Sequence, residues 1–267
     1  MKKAILILTM LQAVGLTALP FVKDKKHESA LEISKKTKDS FAQATPQNSV
    51  FMFDLHGVVI TKSKSKIELA FLSWKMAKWK TLSSLVLRPI TVLCVAKDIY
   101  KMQRENKKCG QQYFDEIANK YPQLGLNLDD LYDYDTIHSL NPKTVECIRQ
   151  LKAKGFQTGV FTNMGDKAYE QKLLTRFPEL KYLLGTKGYN PNAACNYASK
   201  PNPESCDCFL NKLKNDFGQK SFNGKLQNVY FIDDRPKNII EAIKHNPIRP
   251  YYFTSAEQFE KNIKKIK

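Results

Sequence analysis

Carboxylates stand at the ends of two apolar runs, where they could do phosphate or metal chemistry. Asp54 directly follows Ser49–Phe53, a run of aromatic and β-branched residues that is typical of a buried strand. Asp233 and Asp234 directly follow a second run of this kind, Asn228–Ile232. Two adjacent carboxylates repel each other unless a positive group neutralises them, and Mg²⁺ prefers such oxygen ligands. The adjacent pair therefore predicts a magnesium site.

Hydroxyl, amide and ammonium groups occur at two further boundaries between predicted elements. Thr162 and Asn163 follow the predicted strand Phe156–Phe161, and both can donate hydrogen bonds to a phosphoryl oxygen. Lys200 precedes an apolar-periodic helix that runs through Leu213. Each of these residues, taken alone, is an ordinary loop or surface residue. Their interest lies in their order along the chain.

The elements that must position these residues alternate between strand and helix. Helical spacing of Val145, Ile148 and Leu151 predicts a helix that ends at Gly155, immediately before the second strand. Strands that alternate with helices favour an α/β fold with a parallel sheet. Ligands of such sheets bind beyond the carboxyl ends of the strands, where Asp54 and Asp233 would lie.

This order of motifs strongly resembles the haloacid dehalogenase (HAD) superfamily. The resemblance covers about residues 49–60 and 138–256, and it extends to the closing segment 250–259. It implies a doubly wound, Rossmann-like parallel sheet formed by residues 49–60 and 138–267. It also implies a helical cap, 61–137, inserted after the first strand.

The resemblance assigns catalytic roles to four of these residues. Asp54 would attack phosphorus and become an aspartyl phosphate. Thr162 and the backbone of Asn163 would orient the phosphoryl group, and Lys200 would neutralise charge in the transition state. The implied activity is hydrolysis of a phosphate monoester.

The implied cofactor is Mg²⁺, with four residues of this chain as candidate ligands. Asp234 would bind the ion directly, with Asp233 beside it in the first or second coordination shell. Asp54 and the backbone carbonyl of His56 would complete the protein ligands. The ion would reduce the repulsion between a carboxylate and a phosphate dianion.

His56 departs from the family pattern, in which phosphatases carry a second aspartate two residues after the nucleophile. Three interpretations follow. The imidazole, with an ordinary pKa of about 6.5, could act as acid and base. Alternatively, hydrolysis is slow and the phosphoryl group persists or is transferred, or the protein only binds. Hydrolysis of a carbon–halogen bond needs no Mg²⁺, and the retained Asp233 and Asp234 argue against it.

The insertion between residues 61 and 137 is rich in basic residues in its first half. Residues 61–109 contain twelve Lys or Arg against three acidic residues. We interpret this half either as a basic lid that attracts an anionic substrate or surface, or as the solvated face of amphipathic helices. Trp74 and Trp79 fit a membrane interface or a helical core.

The N-terminus predicts export or anchoring. Lys2 and Lys3 precede an uncharged stretch from Ala4 to Val22, so residues 1–22 are a signal peptide or a membrane anchor. The lysine-rich residues 23–48 have no clear apolar periodicity and predict a polar linker. We therefore expect a periplasmic, secreted or membrane-anchored protein rather than a cytoplasmic one, with membrane association through residues 1–22.

Composition limits the partners and the redox chemistry. The net charge of +17 over 267 residues favours phosphorylated or otherwise anionic small molecules, and no nucleic-acid recognition motif accompanies it. Six cysteines permit disulfides if the chain is exported, whereas their spacing does not fit a zinc site. The alternative to a phosphatase is a catalytically impaired binding or docking protein whose basic cap meets an anionic partner or membrane surface.

Overall fold

The structure, a computed structural model, describes most of the predicted core. The described residues are 25–62, 94, 98, 116, 119–122, 138–165, 168–189, 198–218 and 227–266. The predicted signal peptide or anchor, residues 1–22, lies outside them. So does nearly all of the predicted cap, 61–137, including Trp74 and Trp79.

A parallel sheet forms the centre of the fold, as predicted, and it has four strands. Its strands lie in the order β4-β1-β5-β6. Their bounds are β1 Ser49–Phe53, β4 Gln157–Val160, β5 Asn228–Asp233 and β6 Ile248–Tyr252. A bridge between Phe161 and Tyr189 extends the pairing beyond β4.

Alternate residues of the central strands face opposite sides of the sheet, and both sides are buried. On β1, Phe51 and Phe53 belong to one apolar cluster, whereas Val50 and Met52 belong to another. All five residues of β1 are buried. A near-continuous apolar run is the sequence pattern expected for a parallel strand that is covered on both faces.

Helices cover both faces, which gives the doubly wound arrangement. The bounds are α1 Lys25–Ser40, α2 Pro142–Ala153, α3 Glu179–Leu184, α4 Pro203–Leu213, α5 Pro236–Ala242 and α6 Ala256–Ile263. Apolar residues of α2, α3 and α6 pack in the cluster of Phe51 and Phe53. Residues of α4 and α5 pack in the cluster of Val50 and Met52.

Local signals in the sequence set the ends of these helices. Asn141 caps α2 by accepting a hydrogen bond from Thr144 N, and Pro142 occupies the first turn. The predicted stop at Gly155 is confirmed by its φ of +86°, a conformation that glycine adopts without strain. The Ser255 side chain accepts a hydrogen bond from Gln258 N and so caps the start of α6.

The segment predicted as a polar linker, 23–48, contains a packed helix instead. Helix α1 lies along β6, the edge strand of the sheet, and also contacts α5. Thr37 Oγ1 donates a hydrogen bond to the Pro250 carbonyl at 2.8 Å, and Tyr252 N donates to Ser34 Oγ at 3.1 Å. These bonds use backbone groups of an edge strand that would otherwise remain open to another chain.

The linker prediction failed because the buried stripe of α1 contains polar residues. Ala30, Ser34, Thr37 and Phe41 recur at helical spacing and are all buried. Ser34 and Thr37 are polar, so a search for apolar residues at helical spacing does not detect this stripe. Phe41 follows the helix in a short 3₁₀ turn, Phe41–Gln43, and enters the core against Phe51.

A short antiparallel pair joins the two ends of the insertion. Strand β2, Ile60–Lys62, pairs with β3, His138–Leu140, so that Lys62 lies opposite His138. The inserted residues therefore leave and rejoin the core at adjacent points. Strand β2 begins shortly after Asp54 in the sequence, and β3 pairs with it, which places these points near the carboxyl end of β1.

Two observations bear on the predicted membrane and redox context. Across the described ranges, no helix combines the length and apolar character that a bilayer span needs. Cys208 in α4 is disulfide-bonded, whereas Cys94, Cys147 and Cys206 are free thiols. Burial raises the pKa of the Cys147 and Cys206 thiols to about 12, so neither is a reactive thiolate near neutral pH.

Candidate active site

The carboxyl ends of three strands bring the candidate residues together. Asp54 follows β1, Thr162 follows Phe161 beyond β4, and Asp233 ends β5. Backbone hydrogen bonds hold these ends in register: Asp54 N donates to the Ile232 carbonyl at 2.8 Å, and Phe161 N donates to the Phe53 carbonyl at 3.0 Å. The strand ends thus form the edge at which parallel sheets bind ligands.

Lys200 connects the three strand ends through its ammonium group. Its Nζ donates to Asp54 Oδ1 at 2.9 Å, to Asp233 Oδ2 at 2.8 Å and to the Phe161 carbonyl at 2.7 Å. An ammonium has three donors, and each of them has an acceptor here. The side chain is only 2% exposed. Its local sequence would have placed it on the surface, whereas the order of motifs placed it in the site.

The surroundings of Lys200 keep its charge in place. Burial alone would lower the pKa of the ammonium, but Asp233 and Asp54 outweigh burial and raise it above its ordinary value. The rings of Phe161 and Phe231 also lie 4.9 Å and 4.7 Å from Nζ, within cation–π range. Lys200 is therefore a permanent cation beside Asp54.

Asp233 is fully buried, and both of its carboxylate oxygens have partners. Oδ2 accepts from Lys200 and from Asn238 Nδ2 at 2.8 Å, and Oδ1 accepts from Arg235 N at 2.8 Å. Burial raises the pKa of this carboxyl, and the Lys200 charge opposes the rise. Asn238, in the helix that follows, thus turns back toward the site. Asp233 anchors Lys200 and the loop that follows β5.

Asp234 differs from Asp233 because one of its oxygens has no partner. Within the described residues, Asp234 Oδ1 is buried and makes no hydrogen bond. Burial, reinforced by the charges of Asp233 and Asp54, raises the pKa of this carboxyl to about 6. A buried carboxylate oxygen without a donor is costly, which points to a ligand that the chain itself does not supply.

Three carboxylates converge at this point in a geometry that suits a divalent cation. Ligand oxygens of Asp54, Asp233 and Asp234 all lie within 4.8 Å of one another. Hard cations such as Mg²⁺ prefer carboxylate oxygen and water to nitrogen or sulfur. The unpartnered oxygen of Asp234 and the oxygen-only donor set both fit Mg²⁺.

Gly57 provides the space that Asp234 occupies. A Cβ at Gly57 would overlap the Asp234 carboxylate, and the φ of Gly57 is +85°. The turn that carries Gly57 wraps around the Leu55 carbonyl, which accepts hydrogen bonds from Val59 N at 2.9 Å and Ile60 N at 2.8 Å. His56 lies in this same turn, two residues after Asp54, and is half-buried.

Thr162 and Asn163 present donors beside Lys200. Thr162 is 1% exposed, and its Oγ1 accepts from Met164 N at 3.3 Å, which leaves the hydroxyl proton free to donate. The Asn163 side chain instead pairs with the backbone of Lys200: Nδ2 donates to the Lys200 carbonyl at 2.9 Å, and Lys200 N donates to Oδ1 at 2.8 Å.

The structure brings together all six side chains that the sequence singled out around the strand ends. These are Asp54, Thr162, Asn163, Lys200, Asp233 and Asp234, and His56 lies in the adjoining turn. Sequence reasoning missed Phe161 and Phe231 as neighbours of the ammonium, because apolar strand residues were interpreted only as core. Their positions, next to Thr162 and two residues before Asp233, could have indicated that role.

Similarity to known proteins is found among solved structures. No protein-family model matches the chain, and no curated protein matches its sequence. A structure described as a HAD-like family hydrolase from Porphyromonas gingivalis is similar over 77% of this chain and 91% of its own, with 19% identity and a TM-score of 0.44. A structure described as a dehalogenase is similar over 81% of this chain and 97% of its own, with 15% identity and a TM-score of 0.44.

The topology of the sheet brings the motifs of the sequence together. Four motifs that are scattered over 180 residues of sequence, from Asp54 to Asp234, meet at the carboxyl edge of one parallel sheet. The chain thus combines a motif order that resembles that of the HAD superfamily with a parallel α/β core.

Proposed function

We propose that the protein is a Mg²⁺-dependent phosphatase that hydrolyses a phosphate monoester through an aspartyl phosphate on Asp54. One observation carries the proposal: the buried ammonium of Lys200 lies 2.9 Å from Asp54 Oδ1, and ligand oxygens of Asp54 and Asp234 lie within 4.8 Å of each other. Asp234 Oδ1 has no hydrogen-bond partner among the described residues. A carboxylate and a phosphate dianion repel each other, so their reaction needs positive charge at the point where they meet. This arrangement supplies one such charge and the ligands for another.

In the first step, a carboxylate oxygen of Asp54 would attack phosphorus while the bond from phosphorus to the ester oxygen breaks. His56 would give the departing oxygen a proton. The Thr162 hydroxyl and the Asn163 N–H would donate to phosphoryl oxygens, and Lys200 would balance the charge that accumulates between nucleophile and phosphate. Asp54 emerges as an acyl phosphate, and the alcohol leaves.

In the second step, a water molecule would attack the phosphorus atom of the acyl phosphate. His56, now neutral, would take the proton that the water loses, and the bond from phosphorus to Asp54 would break. The products are inorganic phosphate and the original carboxylate. Lys200 would again neutralise Asp54 as its charge returns. The cycle consumes only the ester and water, and it needs no redox partner.

Asp54, Asp234 and the backbone carbonyl of His56 would hold the Mg²⁺ ion. Bound Mg²⁺ would supply positive charge that offsets the repulsion between the carboxylate and the phosphate oxygens. Asp233 would support these ligands from behind, since its own oxygens are engaged by Lys200, Asn238 and Arg235 N.

We also propose that the protein works in an oxidising compartment, exported or anchored through residues 1–22. The disulfide at Cys208 supports this proposal, because disulfides persist mainly outside the cytosol. Helix α1 packs on the sheet from Lys25 onward, so a leader that ends near residue 22 would leave the folded body complete. The substrate would then be an extracytoplasmic phosphorylated small molecule.

A second candidate function is binding without turnover, and the replacement of the usual aspartate by His56 favours it. In that case the protein would retain the fold and the metal site, and its basic insertion would contact an anionic partner or membrane surface. The variant His56→Asp separates the two candidates. A gain in turnover would indicate an impaired acid, whereas a loss would indicate that the histidine is adapted to the reaction.

The test of the proposed function is phosphate release from a panel of phosphate monoesters by the purified protein, with Mg²⁺ and with EDTA. We expect release that requires Mg²⁺ and is absent from Asp54→Asn. Release from no ester above the level of Asp54→Asn would overturn phosphomonoesterase activity on this panel and would favour the binding candidate.

A further inference from the structure

The side chain of Asn163 connects two loops that come from distant parts of the sequence. Its amide accepts a hydrogen bond from Lys200 N at 2.8 Å and donates one to the Lys200 carbonyl at 2.9 Å. A carboxamide carries an acceptor oxygen and a donor NH₂ on the same carbon, so it can pair with an N–H and a carbonyl at once. Asn163 therefore holds both backbone polar groups of one residue, 37 positions away in sequence.

Lys200 needs such support because its backbone does not belong to a strand or helix. It lies in the turn before α4, and a long flexible side chain connects its Cα to the ammonium. The ammonium end is fixed by Asp54, Asp233 and the Phe161 carbonyl. With Asn163 at the other end, both ends of the residue are held.

Asn163 also lies directly beside the proposed phosphoryl-binding donors. It follows Thr162 in the chain, and within the described residues its own N–H has no hydrogen-bond acceptor. One residue thus carries a donor for the phosphoryl group and fixes the backbone of the lysine that neutralises the nucleophile. The distance between the phosphoryl-binding donors and Lys200 therefore depends on Asn163.

We propose that the Asn163 side chain is a positioning residue, which sets the Lys200 ammonium relative to the phosphoryl-binding loop. The sequence suggested only that Asn163 contacts the substrate. This inference rests on the proposed function for its kinetic consequence, but the hydrogen-bonded connection itself can be tested without turnover.

The first experiment compares the kinetics of the full-length protein with those of Asn163→Ala. Misplacement of a catalytic group by about 1 Å can cost on the order of 100-fold in rate. We expect kcat to fall by about 10- to 100-fold, whereas KM stays within about threefold because the phosphoryl donors remain. A rise in KM with kcat unchanged would instead indicate a substrate contact and would overturn the positioning role.

Asn202→Ala is the matched control. Asn202 is an asparagine in the loop that carries Lys200. Its side chain accepts a hydrogen bond from Glu204 N and caps α4. Its removal should lower Tm without lowering kcat at a temperature where the variant is folded. A kcat for Asn163→Ala equal to that of Asn202→Ala would mean that Asn163 has only a structural role.

The second experiment measures hydrogen exchange of the Lys200 amide by mass spectrometry. Pro201 and Pro203 have no amide proton, so a peptide across this loop reports mainly on Lys200 and Asn202. We expect faster exchange at Lys200 in Asn163→Ala than in Asn202→Ala. Unchanged exchange would overturn the connection, even if the wild-type protein is an active phosphatase. Faster exchange in a protein that releases no phosphate would support the hydrogen-bonded connection between Asn163 and Lys200. It would contradict only the proposed phosphatase function.

Discussion

Gly57 and Asp234 occupy one small space, in which the missing side chain of the first makes room for the carboxylate of the second. A Cβ at Gly57 would overlap the Asp234 carboxylate. The φ of +85° at Gly57 is in addition strained for any other residue. The turn after the candidate nucleophile and the end of β5 can approach each other only because of this glycine.

We therefore predict that Gly57→Ala displaces Asp234 and weakens Mg²⁺ binding. Activity at a fixed Mg²⁺ concentration should fall by about 10- to 100-fold, in line with the loss of an outer-shell support of a metal site. Titration of Mg²⁺ against activity and by calorimetry would measure the change in affinity.

Gly155→Ala is the control for Gly57→Ala. Gly155 has a similar φ of +86°, and a Cβ there would meet Pro46 at an ordinary distance of 3.6 Å. It lies at the end of α2, away from the carboxylates. Its substitution should cost about 1–2 kcal/mol of stability and leave Mg²⁺ affinity unchanged. Equal Mg²⁺ affinities for the two variants would contradict the role assigned to Gly57.

Removal of the Lys200 charge should destabilise the protein as well as inactivate it. Lys200→Met leaves Asp54 and Asp233 buried without their cation, a change that typically costs about 3–5 kcal/mol. The pKa of the buried Asp233 carboxyl then rises further because Lys200 no longer opposes burial, so the loss in free energy of unfolding should be smaller at pH 5 than at pH 7. Urea denaturation at the two pH values would measure this difference.

Lys143→Met is the comparison for Lys200→Met, because the Lys143–Glu257 ion pair lies on the surface. Its nitrogen and oxygen are 2.7 Å apart, but both side chains are more than half exposed. Exposed pairs contribute about 0–1 kcal/mol. If Lys200→Met were as stable as Lys143→Met at pH 7, the buried network would not hold this part of the fold together.

Mg²⁺ binding should depend on pH through Asp234. Because the pKa of this carboxyl is raised to about 6, the metal-free protein carries a proton there below that pH and a buried charge above it. Ionisation of Asp234 therefore costs folding stability as the pH rises through about 6, and a bound cation relieves that cost. The rise in Tm caused by Mg²⁺ should be larger at pH 7.5 than at pH 5.

Thermal denaturation with Mg²⁺ or EDTA at both pH values tests this prediction. Asp234→Asn, which has a similar shape but no ionisable group, should lose most of the effect of Mg²⁺ at either pH. An equal Mg²⁺-induced shift in Tm at pH 5 and pH 7.5 would mean that Asp234 does not ligate the ion.

Helix α1 should contribute measurable stability through its polar stripe. Thr37→Val keeps the side-chain shape but removes the hydroxyl that donates to the Pro250 carbonyl at 2.8 Å. We expect a loss of about 1–3 kcal/mol in the free energy of unfolding, since the substitution leaves a buried acceptor unpaired. Lys36→Ala, on the exposed face of the same helix, should change stability by no more than about 0.5 kcal/mol. Similar values for the two variants would contradict the packing of α1 on β6.

The sequence predicted the residues of the site better than it predicted how they are held. The strand ends at Asp54, Thr162 and Asp233 were predictable because apolar runs and their polar termini are local patterns. Lys200 shows the limit of local patterns. Its burial depends on acceptors from three distant segments, so the residue itself resembles a surface lysine and only the motif order identified it.

The N-terminal helix and the Asn163 side chain escaped prediction for a related physical reason. Ser34 and Thr37 are buried because β6 offers them backbone partners, and a hydrophobic pattern contains no information about such partners. The Asn163 amide likewise pairs with the backbone of a loop 37 residues away. Hydrogen bonds between segments that are distant in sequence leave no periodic trace in either segment.

The covalent intermediate on Asp54 is the central claim, and the variant His56→Ala offers the most direct test. With p-nitrophenyl phosphate, the leaving group needs little protonation, so the loss of His56 should slow mainly the hydrolysis of the acyl phosphate, by about 10²- to 10⁴-fold. The intermediate should then accumulate.

The measurement is mass spectrometry of acid-quenched His56→Ala after reaction with p-nitrophenyl phosphate and Mg²⁺. We expect a phosphoryl group on the peptide that contains Asp54, removable by hydroxylamine and absent when Asp54 is also replaced by Asn. Continued phosphate release by the Asp54→Asn protein, with Asp54 unmodified in His56→Ala, would contradict the proposed mechanism.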